Sequence, residues 1–141
     1  MRKKILFTDD GKATWLIRLM VGTVFLSEGL QKFIFSEKVG SGRFAKIGLP
    51  SPAFLAPFVG TIEILCSILV LVGLFTRLAV VPLFFIIVVA ILSTKLQLFA
   101  SGGFWAMLHE SRTDWAMLLG IIFLFLRGGG WWSMDKRLTS P

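Results

Sequence analysis

The stretch 54-FLAPFVGTIEILCSILVLVGL-74, followed after Phe75-Thr76-Arg77 by 78-LAVVPLFFIIVVAILSTKLQLFA-100, decides the fold. Each is a continuous apolar run, matching the ~20 residues at ~1.5 Å apiece that a helix needs to cross a hydrocarbon core. Neither alternates apolar and polar residues in the ~10-residue segments of a membrane barrel, so helices are expected. Two further stretches lie outward from this pair. One, about Ala13 to Phe35, precedes it; the other, about Arg112 to Arg127, follows it. The last is short and must either stand nearly upright or extend into its flanks. The expectation is an all-α integral membrane four-helix bundle, formed by residues 1–141 as a single domain. A long loop from Ser36 to Ala53 would join spans one and two, and a shorter one from Ser101 to Ser111 the last two.

Composition agrees with this reading. Of 141 residues, 55% are apolar and 16% charged, and mean hydropathy is +0.81. Small soluble domains bury only about 60–70% of the surface their unfolded chains expose, so a water-soluble globule is excluded. A net charge of +7 would point a soluble protein towards nucleic acid. Here the cations gather at the ends of apolar runs, where topology and anionic lipid account for them. No basic run exceeds Arg2-Lys3-Lys4, and no nucleic-acid partner is expected. Cys66 and His109 are each the single residue of their kind. That excludes an internal disulfide, a CxxC pair and two-histidine haem ligation within one chain, and no metal site is expected.

The breaks between runs have physical causes. Leu49-Pro50-Ser51-Pro52 cannot continue a helix. Pro57 and Pro82 are expected in or near first turns, where a missing N–H costs little. Gly128-Gly129-Gly130 should end the last span. Trp15, Trp105, Trp115, Trp131 and Trp132 sit near predicted span ends, as interfacial aromatics do. Met1 to Lys12 begins like a signal peptide, but Asp9, Asp10 and Lys12 interrupt it, so an uncleaved membrane protein is expected. Arg2, Lys3, Lys4, Lys12, Arg77, Arg127, Lys136 and Arg137 fall on the side of both termini. They outnumber Lys32, Lys38, Arg43, Lys46, Lys95 and Arg112 opposite, which predicts both termini in the cytoplasm of a bacterial inner membrane and both loops outside.

Charges inside the spans are the functional pointers, since each costs ~2.5–3.5 kcal/mol at the bilayer centre and must find a partner. Arg18, Glu28 and Lys32 fall within roughly an 80° arc of span one at about 100° per residue. Glu28 and Lys32 stand at i,i+4 in the order that favours an ion pair. Arg18, ~15 Å away along the axis, needs another partner. Glu63 lies mid-span and Lys95 in the outer half of span three, while His109, Glu110, Arg112 and Asp114 surround the outer end of span four. Glu28, Lys32, Glu63, Lys95 and Asp114 are expected to converge on a polar pocket, acting as a ligand or proton site, a docking surface or a structural ion-pair network. His109 reads most simply as an interfacial loop residue, Lys95 is free to snorkel, and Cys66 is a small apolar residue. Gly22 and Gly29 offer close helix approach. The echo Arg18-Leu19-x-Val21-x-x-x-Phe25 and Arg77-Leu78-x-Val80-x-x-x-Phe84 hints at a two-span repeat, although an inner-end arginine before common apolar residues explains it more simply.

Arg18-x-x-x-Gly22-x-x-Phe25-Leu26-x-Glu28-Gly29-x-x-Lys32 resembles the opening of the DoxX family of small four-span bacterial membrane proteins. The likeness continues through Arg43-Phe44-x-x-Ile47-Gly48-Leu49-Pro50, Val59-Gly60-x-x-Glu63 and Leu71-x-Gly73-Leu74-x-Thr76-Arg77-Leu78-Ala79. It ends with His109-Glu110-x-Arg112-x-Asp114 and Gly128-x-Gly130-x-x-Ser133-x-Asp135. The resemblance carries Arg18, Glu28, Lys32, Glu63, Arg77, His109 and Asp114 as motif positions. It implies an accessory subunit of a membrane oxidoreductase or redox-stress complex, with a protein partner and a quinone bound between helices. Electron transfer needs a cofactor, and this chain lacks paired cysteines, two histidines, a GxGxxG fold or any metal cluster, so a flavin, haem or metal would belong to a partner and catalysis by the chain alone is not expected. A small-molecule or proton-coupled permease, or an assembly factor without a ligand, remain as alternatives, as does a homo-oligomer.

Overall fold

The structure, a computed structural model, describes residues 8–140. The expectations for Arg2, Lys3 and Lys4 concern residues outside that range. All regular structure among the described residues is helical. The elements are α1 (Thr14–Ile34), α2 (Ser41–Lys46), α3 (Pro52–Val72), α4 (Thr76–Glu110), α5 (Arg112–Arg127) and α6 (Met134–Thr139).

Helix ends follow local chemistry. Pro52 opens α3 in its first turn, and Gly73 closes it at φ 74°, its N–H donating to the Leu69 and Val70 carbonyls. Pro57 and Pro82 lie inside α3 and α4, one turn deeper than the sequence suggests. Each helix starts at or before its flanking threonine or proline, which moves these prolines into the second turn. The start of α4 is held from a distance: the Asp135 carboxylate accepts from the Phe75 and Thr76 N–H groups at 2.7 and 3.0 Å. At its other end α4 runs past Ala100 into the expected loop. Only Gly103 breaks it, at φ 80° and ψ 179°, a backbone that glycine alone adopts without strain. With no proline in Ser101–Ser111, the chain resumes helix from Phe104 to Glu110, so this connection is a bent helical corner. Gly128, at φ 78°, ends α5.

Packing is organised as two helix pairs, α1 on α3 and α4 on α5, joined through α3–α4 and α1–α5 contacts, with α2 lying on α3. The apolar core (Val21, Phe25, Val70, Val80, Leu83, Ile87, Met117, Ile121 and Leu124) fills the bundle towards the end that carries both termini. Buried with it are Arg18, Lys32, Glu63, Ser67, Thr76 and Asp135, whereas Phe54, Phe85, Leu92, Leu96, Leu119 and Leu126 are exposed. Charge inside and leucine and phenylalanine outside is the polarity expected of a protein whose solvent is lipid. Two helices, α3 and α4, are long and apolar enough to cross a membrane by length and composition. Helix α1 carries three charges, and α5 has only 16 residues.

Candidate functional site

Close helix approach builds the site. A Cβ on Gly29 would stand 2.9 Å from the Gly60 carbonyl oxygen and 3.1 Å from Glu63 Cβ, and one on Gly60 would stand 3.3 Å from Lys32 Cβ. Backbone therefore meets backbone where α1 crosses α3, and this contact sets Lys32 against Glu63. Lys32 Nζ lies 2.7 Å from Glu63 Oε2, with both side chains almost wholly buried. The expected i,i+4 partner is secondary. Glu28 Oε2 is 4.0 Å from Lys32 Nζ, and the Glu28 side chain is 47% exposed. The physical reason is dielectric: a buried ammonium gains most from the carboxylate that is desolvated with it.

A second ion pair ties the other two helices. Lys95 Nζ on α4 lies 3.1 Å from Asp114 Oδ2 on α5 and donates to the Glu110 carbonyl at 2.9 Å. Lys95 is thus held across the α4–α5 corner and does not snorkel away from it. Between the two pairs lies a cavity of about 540 Å³. Glu28, Lys32, Glu63, Lys95, Glu110 and Asp114 all line it; its apolar walls include Val24, Val59, Phe85 and Val89, and Phe25, Ile87 and Met117 join it to the core. It is lined by the second half of α1, the segment that carries α2, the first half of α3, the middle of α4 and the start of α5, so it sits towards the end opposite the termini.

Three sequence candidates lie elsewhere. His109 and Arg112 are exposed on the α4–α5 corner and do not line the cavity. Arg18 is buried at the terminal end. Its Nε donates to the Val70 carbonyl at 2.9 Å and Nη2 to that of Leu71, while Nη1 donates to Gly129 and Trp132. Its partners are backbone carbonyls of α3 and of the glycine-rich segment after α5, which lashes the chain's last segment to the bundle. Arg77 does not repeat this arrangement, since its Nη2 donates to the Leu126 carbonyl. Among the described residues, no group of three or more His, Cys, Asp or Glu is placed to hold a metal.

Residue-level reading also missed contributors. Arg43 on α2 lines the cavity beside Ser93, Thr94 and Thr113; the only sequence signal for Arg43 was its place in Arg43-Phe44-x-x-Ile47-Gly48-Leu49-Pro50. Asp135 emerges as the buried cap of α4, and only the closing Ser133-x-Asp135 motif drew attention to it.

The DoxX family model matches residues 13–96, which takes in α1 through most of α4. The chain belongs to the DoxX family. Among relatives of this DoxX protein, "Uncharacterized membrane protein Rv3486" of Mycobacterium tuberculosis is 48% identical, over 96% of this chain and 87% of its own length. "Putative oxidoreductase CatD" of Bacillus subtilis is 33% identical, over 86% of this chain and 84% of its own. No solved structure matches the DoxX chain.

Proposed function

We propose that this DoxX protein is a four-span subunit of a membrane redox complex, with both termini in the cytoplasm and a quinone-type ring held in the cavity between its helix pairs. One observation carries the reading: a cavity of about 540 Å³, within the usual ligand-pocket range of ~300–1,000 Å³, has apolar walls and a few polar groups contributed by both helix pairs. An aromatic ring with polar oxygens fits that combination. Phe25, Val59, Phe85 and Met117 supply the surface for the ring, and Lys32–Glu63 and Lys95–Asp114 face its oxygens. A bound quinone would supply two-electron, two-proton chemistry, and a flavin, haem or metal would come from the partner protein. The chain's own residues bind and orient the ring. The name of the Bacillus relative points towards the same class of chemistry. Topology is supported by the cations at the terminal end, where Arg127 pairs with Asp9 and Lys136 with Asp10. The short α5, which packs against α4, would have to stand nearly upright or extend into its flanks to cross.

The test is native mass spectrometry of the protein after gentle extraction, read for partners and small molecules together. The expected result is a stoichiometric quinone and a redox protein, with the quinone lost in Ala90→Phe, which narrows the cavity from a lining position that belongs to neither ion pair. Only lipid and copies of the chain itself would overturn the reading. One observation favours a second reading: Lys32–Glu63 lies directly beside the Gly29–Gly60 crossing, as an ion pair that only fixes helix register would. Under that reading Glu63→Gln would disturb assembly, and Ala90→Phe would change nothing.

A further inference from the structure

The middle of α4 belongs to the cavity and to the outside of the bundle at once. Leu78, Phe85, Val89, Leu92 and Leu96 fall within roughly a 60° arc of the helix at about 100° per residue. All five are exposed, from 49% at Val89 to 62% at Phe85, so they form one apolar stripe along the outer face. Of these, Phe85 and Val89 also line the cavity, which therefore breaks through onto the stripe at their level. Counted from Thr76, the two stand ~14 and ~20 Å along the helix, well inside a hydrocarbon core ~30 Å thick. Packing gives the reason. The buried residues of α4 end at Ile87, and none from Val88 to Glu110 is buried.

The exposed residues of the cavity lining divide by chemistry. Phe85 and Val89 are apolar, whereas Glu28, Arg43, Glu110 and Thr113 are polar or charged. On the apolar side, α3 contributes Leu55 and Val59, both partly buried. The other flank of α4 is tied to α5 by Lys95–Asp114, while its link to α3 is the turn around Gly73, at the far end of both helices. We propose that the cavity opens sideways to the bilayer between α3 and α4, and that its ligand is a ring carrying an apolar chain, which leaves through this opening past Phe85 and Val89. This inference rests on the ring-binding reading and adds the route of entry and the class of ring, one dissolved in lipid and bearing a tail. A chain leaving by the other side would strip water from charged groups without replacing its hydrogen bonds.

The experiment is photo-crosslinking of the unaltered protein in lipid nanodiscs. The probe is a methyl-substituted benzoquinone whose alkyl chain carries a diazirine close to the ring, and the labelled residues are mapped by mass spectrometry. The competitor is an excess of the same quinone without the chain. Label on Leu55, Val59, Phe85 and Val89 that is lost under competition is the expected result. Competed label on Arg43, Glu110 or Thr113 instead would overturn the inference, because the chain would then leave by the polar side, and would leave the ring-binding reading standing. Label that the chainless quinone does not reduce would overturn both, since it would report an apolar chain in lipid and no site for a ring.

Discussion

Lys32 and Glu63 show what a single buried charge demands. With both side chains almost wholly buried, Glu63→Gln leaves an ammonium without its counter-charge, and a loss of about 3–5 kcal/mol is expected. Removing both charges together, in Lys32→Met with Glu63→Leu, should cost much less, because no uncompensated ion remains. Unfolding of the purified single and double variants in detergent measures both; equal losses would show that the pair does not act as a unit. Arg18 makes a different demand. Its guanidinium fork reaches carbonyls in two separate segments, which a lysine ammonium cannot span. Arg18→Lys is expected to lose at least about 2 kcal/mol, with the region after Gly128 becoming sensitive to protease first. Uniform sensitivity along the chain would contradict that assignment. The sequence showed that Arg18 needed a partner other than Glu28, because distance along one helix is arithmetic. It could not show that the partner would be a set of carbonyls, since those are brought together only by folding.

At the scale of elements, the crossing of α1 and α3 positions everything above it. Gly29 and Gly60 allow the backbones to meet, and a methyl at Gly29 would lie 2.9 Å from a carbonyl oxygen that cannot swing away. Gly29→Ala should therefore separate the helices and cost about 1–3 kcal/mol, the usual penalty of overpacking. It should also lengthen the Lys32–Glu63 contact, so ligand affinity and stability fall together. Gly48→Ala provides the comparison, since nothing lies within 4 Å of a Cβ there and only its φ of +77° is strained. It should lose stability without loss of ligand affinity. Equal ligand loss in the two variants would sink the claim that the crossing sets the site. Gly22 and Gly29 were legible as small residues on one face of span one. The residue opposite Gly29, Gly60, was not, because nothing local reveals which face of α3 turns towards α1.

For the whole molecule, the property of greatest consequence is orientation. The terminal end gathers Arg77, Arg127 and Lys136, with Asp9 and Asp10 paired to two of them, and the cavity lies towards the other end. In a Cys66→Ser background, a cysteine at Lys136 is expected to react with an impermeant thiol reagent only after the cells are opened. One at Ser41, in the connection that carries α2, should react in intact cells. Labelling of both from the same side would overturn the topology.

Taken alone, the sequence determined the four long helical segments, though not the helix inside each expected loop, and it determined which positions carry charge inside them. These properties belong to a few adjacent residues and to the medium that surrounds them. Only the tertiary structure decided that Lys32 would choose Glu63 over Glu28, that Lys95 would be held by Asp114, and that His109 and Arg112 would stand outside the cavity. Those outcomes depend on how each helix is rotated about its axis and how closely it approaches its neighbour. Rotation and approach are set jointly by small residues on two helices, Gly29 against Gly60, and no single stretch of chain contains both.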